Sequence, residues 1–109
     1  MLSRDQRLPS VTFPPLLRRG IRVRTDSLDF LYQKQQADKR FACIVSAKVE
    51  KLAVRRNRIR RLVHAALQSL IPVMTSGVHG IFVIRRKMSV SQDDMTTLVR
   101  LLLEKAGAI

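Results

Sequence analysis

Apolar positions along the chain change period several times, and each change marks an element. The segment S-V-T-F-P-P-L-L-R-R-G from Ser10 predicts a short helix starting at Pro14 or Pro15 and stopping at Gly20, because proline fits only a first helical turn. Ile21 to Thr25 then alternates as I-R-V-R-T, a half-exposed strand. Ser27 to Lys34 alternates again, with Leu28, Phe30 and Tyr32 on one face and Asp29, Leu31 and Gln33 on the other. After a polar turn over Gln35 to Lys39, Arg40 to Ala47 is apolar on both faces. That pattern predicts an interior strand, paired antiparallel with its neighbour across the turn.

Helical spacing takes over at Ile59, Leu62, Val63, Ala66, Leu67 and Leu70, one apolar face docked on a core. No helix breaker interrupts Lys48 to Ile71, so one long helix is expected to follow the third strand directly. P-V-M-T-S-G-V-H-G reads as a loop, and Ile81 to Ile84 as a buried strand with a basic exit. Strand, helix, strand makes a parallel crossover the expected connection, right-handed by the general rule. Ser91 can cap the last helix with Asp94 three residues on, Val90 and Met95 form a staple, and Gly107 closes it. Met95, Leu98, Val99, Leu102 and Leu103 are its core stripe. Residues 1–8 are expected to be loosely ordered. The sum is one α/β (α+β) domain over residues 1–109, in the order α-β-β-β-α-β-α.

Charge alters this picture more than composition does. Lys and Arg number 21 against 8 Asp and Glu, a formal charge of +13, which makes nucleic acid the default partner. Five arginines crowd between Arg55 and Arg61 around one Asn57 and one Ile59. The helix is therefore polar almost all round before Ile59, and that end is expected to project and to welcome phosphate at its N-terminus. A solvated charged face normally mixes signs, and this one does not. A membrane surface would need bulky apolar anchors beside the charges; Trp is absent and the basic end is the least apolar. The lone Cys43 leaves no intramolecular disulfide or Cys-based zinc site, and with no signal-peptide pattern the expected location is the cytoplasm.

Protein-borne nuclease chemistry finds little support. The acids are scattered, and the Asp93–Asp94 pair suits a helix N-terminus better than a metal. His64 falls on the polar side of the long helix one turn after Arg60, where it either touches phosphate or simply faces solvent. No Gly-rich phosphate loop and no Cys/His metal spacing is present. Binding is favoured over catalysis; the rivals are a ribosomal-protein-like or DNA-binding module and an autonomous endonuclease.

Lys48, Lys51, Ala53 and Val54 followed by Arg56-Asn57-Arg58-Ile59-Arg60-Arg61 match K-x-x-K-x-A-V-x-R-N-R-I-[KR]-R. This string resembles the signature of the bacterial ribonuclease P protein component, the basic subunit that assists the catalytic RNA of tRNA 5′ maturation. The resemblance implies a mixed sheet whose β-α-β crossover is left-handed, against the general rule. It implies that Lys48, Lys51, Arg56, Asn57, Arg58, Arg60 and Arg61 contact that RNA, and Arg55 and His64, beside them on the helix, are further candidates. A second surface, formed in the family by the first helix, the sheet face and the central helix, would receive the single-stranded 5′ leader of precursor tRNA. Phe13, seven residues before Gly20, and Tyr32 are the aromatic candidates for stacking there. Chemistry would belong to the RNA and its Mg²⁺, with no catalytic residue on the protein; no metal ligand on the protein is assigned and no obligate protein partner is inferred. Two departures stand out: Pro14-Pro15 within the first helix, and Glu50, a carboxylate expected to soften RNA contact locally.

Overall fold

The computed structural model describes residues 2–34 and 36–109; Gln35, in the expected polar turn, and Met1 lie outside them. The elements are α1 (Phe13–Arg19), β1 (Ile21–Arg24), β2 (Leu28–Lys34), β3 (Lys39–Ile44), α2 (Ala53–Leu70), β4 (Val78–Ile84) and α3 (Gln92–Lys105). This is the expected order. Pro14 and Pro15 occupy the first turn of α1, where their missing N–H groups leave no helical bond unmade, so the helix begins at Phe13. Ser91 Oγ accepts from the Asp94 amide at 3.1 Å and opens α3, as its spacing predicted.

The four strands lie in the order β1-β2-β4-β3, with β2 antiparallel to β1 and β4, and β3 parallel to β4. Two expectations are corrected here. β3 does not pair with β2 and is an edge strand, because β4 inserts between them. The reason is burial: β4 is buried at Val78, Gly80, Ile81, Phe82 and Ile84, whereas β3 keeps partial exposure at Lys39, Arg40, Cys43 and Ile44. Nor is the N-terminus loose over residues 2–8. Leu2 and Leu8 are buried, and the Leu8 amide donates to the Phe41 carbonyl at 3.0 Å, covering part of the β3 edge.

Each sheet face carries its own core. On one face Leu28, Phe30, Tyr32, Phe41 and Phe82 pack against Ile59, Val63, Ala66 and Leu67 of α2 and Met95, Val99 and Leu102 of α3. On the other, Ala42 and Ile81 pack with Leu8 and with Leu16 of α1. The first core is centred on Phe30, whose ring stacks on Phe82 at 4.4 Å and on Tyr32 at 5.3 Å between centroids.

That stack dictates a glycine. A Cβ at Gly80 would lie 2.2 Å from Phe30 Cε1, so any side chain there must push the ring out of its place. Gly80→Ala is expected to lower unfolding stability by about 1–3 kcal/mol, the usual cost of forcing extra volume into a packed core. Urea denaturation checks this, and an unchanged midpoint would contradict the packing described.

Candidate nucleic-acid interface

The basic helix starts later than its sequence suggests. α2 begins at Ala53, and the chain between β3 and α2 is non-helical, with Lys48 and Lys51 exposed on that connection. The cause is local. The Ser46 carbonyl takes the amides of Val49 at 3.2 Å and Glu50 at 3.1 Å, forming a turn that directs Val45 and Val49 into the core. Leu52 is extended and offers no side-chain cap, and the first turn of α2 contains no acid. α3, by contrast, has both a capping Ser91 and Asp93 and Asp94 in its first turn. The positive end of the α2 dipole is left without any compensating negative charge on its own helix.

From Ile59 onward α2 is anchored, with Ile59, Val63, Ala66, Leu67 and Leu70 all buried. Before Ile59 no residue of the helix is buried. The expected projecting end is therefore present, but its cations divide into separate roles. Arg56 Nη1 donates to the carbonyls of Glu50 and Lys51, each at 2.9 Å, and so ties the connection to the helix. Arg60 Nη1 donates to Asn57 Oδ1 at 2.7 Å, which orients both. Arg55 Nη1 lies 3.9 Å from Glu50 Oε1. Arg58 and Arg61 are exposed and make no hydrogen bond or ion pair with the described residues. Glu50 is only 2% exposed, which corrects the expectation that it would soften RNA contact from among the basic groups.

His64 is half-buried. Burial holds its imidazole below the ordinary histidine range, and Arg60 and Arg7 push it further the same way. At neutral pH it is uncharged, able to hydrogen-bond phosphate but not to attract it as a cation. Phe13 is half-buried against the α1-side core. Tyr32 is 6% exposed on the opposite sheet face, so the fold does not bring these two rings to one surface. A base could stack on Tyr32 only by displacing its neighbours in the core. Cys43 is partly buried, and desolvation pushes its thiol up to about 12, leaving it protonated.

Comparison with known proteins accords with this architecture. The ribonuclease P family model matches residues 2–107. The chain belongs to the ribonuclease P protein family. Among relatives, the ribonuclease P protein component of Synechococcus elongatus is 38% identical over 78 residues, covering 67% of this chain and 64% of that protein. The same component of Microcystis aeruginosa is 44% identical over 46 residues, covering 42% of this chain and 38% of that protein. The RNase P protein from Thermotoga maritima aligns with a TM-score of 0.80 at 21% identity, covering 91% of this chain and 96% of that one. A Staphylococcus aureus RNase P protein mutant with defective mRNA degradation activity aligns at 0.84 with 17% identity, covering 95% and 90%. These two likenesses are of fold.

For a ribonuclease P family protein, the sheet adds basic residues that sequence reasoning missed. Asp29, 3% exposed, faces Arg22 Nη1 at 3.5 Å, Arg24 Nε at 3.4 Å and Arg85 Nε at 2.6 Å. One buried carboxylate thus gathers guanidinium groups on the α1 side of the sheet, and Arg22 and Arg24 remain about half exposed there. The I-R-V-R alternation signalled a shared face; only the pairing of Arg24 with Asp29 revealed what held it. Nearby on that side, a cavity of about 350 Å³ is lined by Val11, Pro15, Leu16, Gln33 and His79. His79 Nε2 is 2.6 Å from Asp38 Oδ1, and this contact, with Arg40, holds the Asp38 carboxyl below its usual range.

Among the described residues no group of three or more His, Cys, Asp or Glu is placed to hold a metal ion, and no helix is long and apolar enough to cross a membrane. The division among the arginines has a direct consequence. Arg58→Ala is expected to leave unfolding stability within about 0.5 kcal/mol of the parent, as for a surface side chain without partners. Arg56→Ala, which frees two carbonyls, is expected to cost about 1–2 kcal/mol. Thermal unfolding of both variants checks this, and equal losses would contradict the separate roles.

Proposed function

We propose that the chain is the RNA-binding protein subunit of ribonuclease P, assisting a catalytic RNA in endonucleolytic removal of the 5′ leader from precursor tRNA in the cytoplasm. The single observation that carries this reading is the uncapped, acid-free end of α2. There Arg55, Arg58 and Arg61 are exposed, with Lys48 and Lys51 exposed on the connection that precedes it. Guanidinium groups bind phosphate in planar, bidentate fashion, so this end suits the backbone of a folded RNA. Arg56 positions the connection, Asn57 and Arg60 orient one another, and neutral His64 adds a hydrogen-bonding group one turn on.

The leader is assigned to the α1 side of the sheet, where Phe13 and the half-exposed Arg22 and Arg24 lie. A single strand asks for aromatic surface and a cationic track, and this side offers both. Tyr32 serves this surface only indirectly, by packing under the sheet.

The chemistry of phosphodiester hydrolysis is assigned to the RNA partner and to Mg²⁺ held by it. The two buried carboxylates, Asp29 and Glu50, each face cationic side chains and so do not suit Mg²⁺. Reconstitution tests the reading. The protein added to a bacterial ribonuclease P RNA at low Mg²⁺ is expected to raise cleavage of a precursor tRNA carrying a leader, and to do less for a substrate without one. No stimulation, or cleavage by the protein alone, would overturn it.

A further inference from the structure

Between the first turns of α2 and the segment leaving β4 lies a cavity of about 490 Å³, within the roughly 300–1,000 Å³ of small-ligand sites. Its charged lining is Glu50, Arg55, Arg58 and Lys87, and its apolar lining is Ile59, Leu62, Met88 and Val90.

Glu50 is the anomaly. Its carboxylate is 2% exposed, yet Arg55 Nη1 approaches Oε1 only to 3.9 Å and Lys87 Nζ approaches Oε2 only to 3.7 Å. Both distances exceed a hydrogen bond, and Oε1 has no hydrogen-bond partner among the described residues. A buried carboxylate oxygen without a donor is costly, and the cavity beside it has room for a group that supplies one. Arg55 and Lys87 are 61% and 65% exposed at their side chains, free to turn toward a second anion.

The occupant must therefore carry N–H donors on one edge, a flat apolar body for Leu62, Met88 and Val90, and a negative charge for the cations. A divalent metal fails, since one carboxylate among three cations offers neither the ligands nor the field. A nucleotide fits, and the bases differ in their edges. Guanine presents two adjacent donors, N1–H and the 2-amino group, which match the two oxygens of a carboxylate. Uracil flanks its one N–H with carbonyl oxygens that a carboxylate repels. Adenine and cytosine each offer a single amino group beside an acceptor.

We propose that this cavity holds an unpaired guanosine of the bound RNA, its Watson–Crick edge on Glu50 and its phosphate between Arg55, Arg58 and Lys87. The proposal rests on the RNA-binding reading above and adds a base preference to it.

Methyl NMR of the full chain titrated with guanosine, inosine, adenosine and uridine 5′-monophosphates tests it. Guanosine monophosphate is expected to shift the methyl signals of Ile59, Leu62, Met88 and Val90 and to bind about tenfold more tightly than uridine monophosphate. Inosine monophosphate, which lacks the 2-amino group, should fall between them. Glu50→Gln, nearly isosteric, should abolish the preference, and Lys87→Ala should weaken all four nucleotides alike while keeping it. Equal affinities, shifts confined to other methyls, or a preference unchanged in Glu50→Gln would each overturn the assignment. Should Glu50→Gln fail to fold, the guanosine–inosine difference in the unmodified chain decides. Filter binding to ribonuclease P RNA separates the two failures. Retained RNA affinity without base preference overturns the cavity alone, whereas no preference for that RNA over duplex DNA overturns the proposed function.

Discussion

The structure depends on holding like charges together at one end of a helix whose other end is anchored. Arg55 and Arg58, Arg56 and Arg60, and Arg58 and Arg61 are three or four residues apart, so each pair repels by a few tenths of a kcal/mol. Burying Ile59 and Val63 contributes roughly 1.5–3 kcal/mol apiece. Anchoring therefore outweighs repulsion, and the basic turns persist without neutralising partners on α2. What remains is an unbalanced positive field, and it is this field that asks for a polyanion.

Carboxylates elsewhere in the protein shape this field without erasing it. Asp29 draws Arg22, Arg24 and Arg85 to one place on the sheet, and Glu50 lies beneath Arg55 and Lys87 at the foot of α2. Each is buried, so neither spreads its negative charge over the open surface. Positive charge is held in position on the α1 side of the sheet and at the start of α2. The former suits a single strand and the latter a folded RNA, which is the division of labour proposed above.

How much of this was legible beforehand follows from what each feature depends on. Local features read well. The stripe from Ile59 to Leu70, the Ser91 cap, the strand alternation and the basic run all arise within a few residues of sequence. Features set by distant pairing did not. β3 looked interior because Phe41 and Cys43 on one face and Ala42 and Ile44 on the other are all apolar, yet β4 has the stronger claim on the centre. Leu2 and Leu8 find their places only once β3 exists as an edge. Glu50 read as a surface charge because its burial needs both the Ser46 turn and Lys87, which is remote in sequence. Tyr32 shares its strand face with Leu28 and Phe30, and that grouping already pointed inward.

The central claim is that cations of the α2 end meet phosphate directly. Its most direct test is the salt dependence of binding to ribonuclease P RNA, since each phosphate contact contributes about 0.7–0.9 to the slope of log K against log salt. Replacing Arg55, Arg58 and Arg61 together by Ala is expected to flatten that slope by about two to three units. A slope unchanged by the triple replacement would show that the RNA is held elsewhere.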